Sequence, residues 1–392
     1  MSLSKNSKIG VVGAGTMGTG IAQIAATFGH PVFLFDAYPD QLKKSKDGLE
    51  NILDRQVKKE RMSSDEVDGI LSRIHFVDHM KDFTDCDIVF EAIVEVTRTK
   101  KDQIARIEAI VGKNCIIATN TSSLSIASLS SALKTTGRFL GIHFFNPAPL
   151  MKLVEIIPGI STDPETVKQA RSLIDSWNKI TVLAKDTPGF IVNRVARPFY
   201  GEALRIYEEG IADHTTIDWA MKELGGFKMG PFELMDLIGH DVNYAVTESV
   251  FEAFYFDPRF KPSFAQKRLI EAGRLGKKSG IGFYDYREGA ENTDPEKNDT
   301  LGAVILNRIL VMLINEAADA VFMNVATVED VDLAMLHGVN YPKGLLQWAD
   351  ELGLDWVLSQ LENLQNHYGE DRYRPNPLLK QKVKDGKNFH EK

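Results

Sequence analysis

The chain has 392 residues, and its 46 basic against 54 acidic side chains give a formal charge of −8, which disfavours nucleic acid or an anionic membrane as the main partner. At roughly 150 residues per domain the length calls for two or three domains, and 43% apolar with 26% charged residues exclude a disordered or low-complexity chain. No signal-like apolar region follows the start, no run reaches the roughly 18 apolar residues of a membrane span, and two cysteines, Cys86 and Cys115, without a CxxC pair fit a reducing cytoplasm.

Residues 8–36 read as strand, glycine turn, helix and strand. Ile9 to Val12 are apolar, Ile21, Ile24, Ala25 and Phe28 recur at helical spacing, Gly29 stops the helix, and Val32 to Phe35 form the next strand. Further strand-like runs follow at 86–92, 115–119, 138–144, 151–157 and 180–185, separated mostly by helical stretches. That alternation predicts an α/β unit of Rossmann type over residues 1–187, with an open, mainly parallel sheet.

Within the first turn, Gly13, Gly15 and Gly18 have the GxGxxG spacing, with Thr16 and Met17 opening the helix and Asp36 ending the next strand. This is a dinucleotide fingerprint: the first glycine permits a tight turn, the second lets the backbone approach pyrophosphate, and the third lets helix pack on strand. Phosphate belongs at the helix N-terminus. Asp36 suits ribose hydroxyls and repels a 2′-phosphate, so NAD is expected rather than NADP.

Residues 41–61 carry seven basic side chains against four acids, either a solvated helix face or a surface for a phosphorylated carrier. The stretch 138–157 then places two apolar runs around an Asn-Pro-Ala-Pro turn, each with one ionisable group, His143 and Glu155. Period-two alternation buries Glu155, and folding back at the prolines brings it to His143. A carboxylate there fixes the imidazole tautomer and balances its charge in proton transfer. His75 and His79 stand four apart without a third ligand, so no metal is expected.

Beyond Pro188 the pattern changes to amphipathic helices, predicting all-α domains at 188–290 and 300–392 with a polar linker between them. A shift of 114 residues aligns 193–241 with 307–355 at 12 of 49 positions, including Asn193/Asn307, Arg194/Arg308, Glu202/Glu316, Asp218/Asp332 and Asp236/Asp350. One helical module is duplicated. A second copy covering the first as a dimer partner would makes a monomer the expected state, with the copy in a supporting role.

Taken in order, GAGTMG, FEAIVE (90–95), NTSSL (120–124), HFFNP (143–147), MKLVEII, DTPGFIVNR (186–194) and LGKKSGIGFY (275–284) resemble the L-3-hydroxyacyl-CoA dehydrogenase family, including the 3-hydroxybutyryl-CoA dehydrogenases. The resemblance implies a reversible NAD-dependent oxidation of (S)-3-hydroxyacyl-CoA. It assigns His143 as base, Glu155 as its partner, and Ser122 and Asn193 to the reacting oxygen. Cofactor contacts are implied for Asp36, Glu95, Lys100, Asn120 and Asn146, and Lys59 falls where the family points a lysine toward CoA. Some members carry a CoA-contacting serine at the position of Ile52. Other readings from the residues are a CoA-independent diketone or hydroxy-acid oxidoreductase and a non-catalytic NAD-binding protein.

Overall fold

The computed structural model describes residues 3–4 and 6–390, and the chain divides into two compact units, Met1–Thr187 and Pro188–Lys392. In the first, strands β1 (Ile9–Val12), β2 (Val32–Phe35), β3 (Ile74–Val77), β4 (Ile88–Glu91), β5 (Ile116–Thr119), β6 (Phe139–Phe144), β7 (Leu153–Pro158) and β8 (Ile180–Leu183) form one sheet in the order β3-β2-β1-β4-β5-β6-β7-β8. Every neighbouring pair is parallel except β6 and β7. The central strands β1, β4 and β5 are buried along their whole length, as a sheet covered on both faces requires.

Helices α1 (Thr16–Thr27), α2 (Pro39–Lys58), α3 (Ser64–Ser72), α4 (Thr97–Ile110), α5 (Ile126–Ser130) and α6 (Pro164–Ser176) accompany the sheet. In α2 a proline starts the helix, and Leu42, Ser45, Leu49 and Leu53 recur every three or four residues as its buried stripe, which leaves the lysines on the opposite face. Helix α3 begins with a capping box: the Ser63 hydroxyl accepts from Glu66 N–H, and the Glu66 carboxylate accepts from Ser63 N–H. β3 is missing from the strand-like runs read for the sheet: it is a four-residue edge strand, largely accessible beyond Ile74, and His75 interrupts its apolar residues.

The second unit is helical: α7 (Val192–Val195), α8 (Arg197–Glu208), α9 (His214–Trp219), α10 (Pro231–Ile238), α11 (His240–Ala253), α12 (Phe264–Glu271), α13 (Asp299–Phe322), α14 (Val328–Gly338), α15 (Leu345–Leu352), α16 (Leu354–Tyr368) and α17 (Pro377–Asp385). Helix α13 is long and apolar enough to cross a membrane, but most of it is buried against the rest of the unit, including Arg308, Asn315 and Glu316. The Asn298 side chain starts it by accepting from Leu301 N–H at 3.1 Å.

The duplication is visible in hydrogen bonds. Asp218 accepts from the backbone N–H groups of Phe232 and Glu233, and Asp332, its equivalent, from those of Leu346 and Gln347. Between the copies the pairing is reciprocal. Arg194 of the first copy bonds Glu316 of the second at 2.6 Å, while Arg308 of the second bonds Glu202 of the first at 3.1 Å. Residue i meeting j while j′ meets i′ is the signature of a two-fold interface, here closed inside one chain.

Candidate active site

Strands β6 and β7 form the antiparallel join of the sheet, and their register sets His143 directly opposite Glu155. His143 is 6% exposed and Glu155 is fully buried, so their polar atoms need each other. Nδ1 and Oε2 are 2.7 Å apart. An ionised carboxylate only accepts, so Nδ1–H donates, and the neutral ring keeps its basic lone pair on Nε2. The Phe145 ring lies 4.4 Å from the imidazole, and the loop continues through an Asn146–Pro147 cis peptide.

The glycine turn fits a dinucleotide for steric reasons that separate its three glycines. Gly13 has φ +102°, and a Cβ there would come within 2.5 Å of the Ala92 carbonyl oxygen; a Cβ on Gly18 would sit 1.8 Å from that of Gly13. Around Gly15 nothing lies within 4 Å of such a Cβ. The first and third glycines are therefore demanded by the fold, and the second leaves open space beside the backbone, which suits a pyrophosphate. Helix α1 has no acidic residue in its first turn, which leaves its N-terminal dipole uncompensated by side chains and favours an anion. Asp36 Oδ2 accepts from Ala14 N–H at 2.7 Å and Oδ1 from Tyr38 N–H at 2.9 Å. Its carboxylate thus holds the turn and has lone pairs that could also accept from a ribose.

A second network lies at the ends of β4 and β5. Lys100 is buried, with its ammonium 2.8 Å from Glu91 Oε1 and 3.2 Å from Glu95 Oε2. Glu91 also accepts from the Thr119 hydroxyl at 2.6 Å. Burial works against the charge on Glu95, but Lys100, the Thr121 hydroxyl and Ser122 N–H outweigh it and hold that carboxyl below its ordinary value. The bonds that Glu95 accepts from the Thr121 hydroxyl and from Ser122 and Ser123 N–H fix the loop that carries Ser122. Asn120 ties this loop to β6, its Oδ1 accepting from Phe144 N–H at 2.9 Å.

The family "3-hydroxyacyl-CoA dehydrogenase, NAD binding domain" matches residues 8–187, and "3-hydroxyacyl-CoA dehydrogenase, C-terminal domain" matches twice, at 189–286 and 304–391. The chain belongs to the 3-hydroxyacyl-CoA dehydrogenase family. A 3-hydroxyadipyl-CoA dehydrogenase of Escherichia coli K12 is 38% identical, covering 96% of this chain and 97% of that one. The mitochondrial hydroxyacyl-coenzyme A dehydrogenase of Sus scrofa is 42% identical over 71% of this chain and 90% of its own. The crystal structure of 3-hydroxybutyryl-CoA dehydrogenase from E. coli K12 superposes with a TM-score of 0.92 at 36% identity, covering 98% of this chain and all of that one. As a member of this family the protein is an NAD-dependent oxidoreductase acting on a 3-hydroxyacyl-CoA.

In the first unit of this dehydrogenase His143 meets Glu155, Ser122 N–H is held by Glu95, and Asn120 bonds Phe144, the neighbour of His143 on β6. Asn146 is exposed on the loop after β6. Lys59 stands exposed just past the end of α2. A cleft of about 870 Å³ lies beside it, lined by α1, α2 and the β6–β7 loop, with Lys44, Arg61, Lys152 and Lys179 among its cations. Asn193 is on α7 in the second unit. Sequence reasoning missed the role of Glu91, which reads as one more strand residue until its buried lysine partner is seen. It also missed that of Asp186, whose carboxylate accepts from Ile126 and Ala127 N–H and so starts α5. The DTPG turn signal drew attention to the boundary and away from that carboxylate.

Proposed function

We propose that His143 is the general base of 3-hydroxyacyl-CoA oxidation and Glu155 its orienting partner. The observation that carries this reading is the 2.7 Å bond at Nδ1, which commits one nitrogen to the carboxylate and leaves proton exchange to Nε2. In oxidation Nε2 takes the hydroxyl proton while Glu155 balances the charge that develops on the ring; in reduction the imidazolium returns it. Gly13, Gly15, Thr16, Met17, Gly18 and Asp36, with Glu95, Lys100, Asn120 and Asn146, would hold NAD, which when bound would supply the hydride acceptor. Ser122 and Asn193 serve as neutral donors to the oxygen as it alternates between hydroxyl and carbonyl. Lys100 acts through Glu95, to which its ammonium is bound.

The relatives named above for 3-hydroxyadipyl-CoA and 3-hydroxybutyryl-CoA support a short acyl chain. The cations of the α1–α2 cleft and Lys59 are proposed to meet the phosphates of CoA. The helical copies 188–290 and 300–392 are proposed to form an internal dimer that leaves the protein a monomer with one active site, a reading supported by the reciprocal Arg194–Glu316 and Arg308–Glu202 pairs. Two free, buried thiols support a cytoplasmic location. A panel of 3-ketoacyl-CoA thioesters of increasing chain length, followed by NADH absorbance and compared with free acetoacetate, tests the substrate class. Turnover of the free acid at the rate of its thioester would overturn the CoA requirement.

A further inference from the structure

The loop between β6 and β7, residues 145–152, has few means of holding its own shape. Pro147 and Pro149 have no N–H to donate, and Leu150 N–H and Met151 N–H both turn back to the one carbonyl of Pro147, at 3.0 Å each. The carbonyls of Ala148, Pro149 and Met151 are left to donors from elsewhere. One side chain serves all three. Lys179, just ahead of β8, brings its ammonium to 2.7 Å from the carbonyl oxygens of Ala148 and Met151 and to 3.4 Å from that of Pro149. Three N–H groups meet three oxygens, so the ammonium is fully engaged.

Among the described residues no carboxylate opposes the burial of this charge. Lys179 is 9% exposed, and desolvation alone pushes its pKa down to about 8. Burying an ammonium without a counter-ion is unfavourable, and what the chain gains by it is a loop of fixed shape. The other cations of the α1–α2 cleft, Lys44, Arg61 and Lys152, are exposed and open to a phosphate, whereas the hydrogens of Lys179 are taken by backbone. A second element fixes the same residues. A Cβ on Gly20 of α1 would come within 3.1 Å of the Ala148 Cβ and 3.2 Å of the Pro149 Cδ, so the loop packs on bare helix backbone. Glycine inside a helix is itself unfavourable relative to alanine, and here the approach of Ala148 and Pro149 accounts for it.

The loop starts beside the proton-transfer pair. The Phe145 ring centre lies 4.4 Å from that of the His143 imidazole, whose Nδ1 is fixed by Glu155, and Asn146 follows as a proposed cofactor contact. We propose that Lys179 is a positioning residue of the dehydrogenase reaction: by gathering three loop carbonyls it holds Phe145 against the His143 ring and Asn146 in place. The inference rests on the assignment of His143 as base, and Lys179 reaches the reacting atoms only through the loop.

The test uses the full-length enzyme with acetoacetyl-CoA and NADH. Lys179→Met removes the donors and should lower kcat by about 10–10²-fold, the effect of misplacing a catalytic group by up to an ångström, while the KM for the thioester stays within about twofold, since the loss falls on the transition state. Lys179→Arg keeps the charge and the donors and should restore most of that rate, a rescue that a space-filling role would not show. Gly20→Ala crowds the loop from α1 and improves the helix, so it folds even if Lys179→Met does not. It should lower kcat by roughly threefold or more, again at nearly constant KM. A Lys179→Met enzyme with raised KM and unchanged kcat would make Lys179 one more contact for the thioester, and one with lower thermal stability and unchanged kcat would make it purely structural. Either result overturns the proposal, as does a Gly20→Ala enzyme with the kcat of the wild type. A His143→Gln enzyme that kept its rate would instead remove the base assignment beneath the inference.

Discussion

His143 and Glu155 face each other across the β6–β7 ladder, and the separation of 2.7 Å between Nδ1 and Oε2 is set by strand register rather than by a flexible loop. Because both side chains are buried, neither substitution is silent. His143→Gln should lower the turnover rate by about 10²–10⁴-fold, the usual contribution of a positioned proton-transfer group, with NADH affinity unchanged. Glu155→Gln should also lose rate, since an amide cannot balance an imidazolium. Steady-state kinetics with a fluorescence titration of NADH check both; a Glu155→Gln enzyme of normal rate would make the pair purely structural.

The three turn glycines should separate on substitution. Gly18→Ala forces a Cβ into the Gly13 carbonyl oxygen, and the protein should lose stability or fail to fold. Gly15→Ala meets no protein atom within 4 Å, so thermal unfolding should stay near wild type while the KM for NAD rises, because the added methyl occupies space intended for phosphate. Melting curves alongside NAD kinetics distinguish the two, and a Gly15→Ala variant with unchanged KM would place the pyrophosphate elsewhere.

The reciprocal ion pairs make the join between the helical copies sensitive to single charges. Glu316 accepts from Arg194 and Arg259, so Glu316→Leu leaves Asp319 as their shared acid. Removing one member of a buried pair costs about 3–5 kcal/mol, whereas Arg194→Met combined with Glu316→Leu should recover part of that loss. Denaturant unfolding of the single and double variants measures the difference. Additive losses would show that the two residues do not act as a pair.

His30 provides a pH dependence. Its Nδ1 lies 3.0 Å from the Ser7 carbonyl oxygen and its Nε2 accepts from Trp177 Nε1–H at 3.0 Å, an arrangement open only to the neutral ring. Burial lowers its pKa despite the Ser7 bond and the charge of Asp87. The unfolded chain therefore takes up a proton near its ordinary pKa of about 6.5, while the folded protein does so only at lower pH. Stability is complete above that value and is lost as pH falls toward the native pKa. The thermal midpoint should drop on going from neutral to mildly acidic buffer, and His30→Gln should flatten the dependence. An identical slope in the variant would assign the effect to other groups.

Much of this was legible because local chemistry and global fold agree. Gly13, Gly15 and Gly18 speak for themselves through spacing, and His143 and Glu155 through alternation around two prolines. β3 was hidden because an edge strand needs no continuous apolar run, and Glu91 because its significance depends on Lys100 returning from α4.

Fusing the two helical copies changes what dilution can do. Partners on separate chains part when their concentration falls below the dissociation constant, whereas partners on one chain meet at an effective concentration fixed by the connecting segment. The pairing of Arg194 with Glu316 and of Arg308 with Glu202 is therefore indifferent to how much enzyme a cell contains. Each copy is also free to drift by itself. Glu316 meets Arg259 as Glu202 meets Arg372, but Glu202 also accepts from the Tyr373 hydroxyl, a difference that a symmetric pair of identical chains could not have acquired.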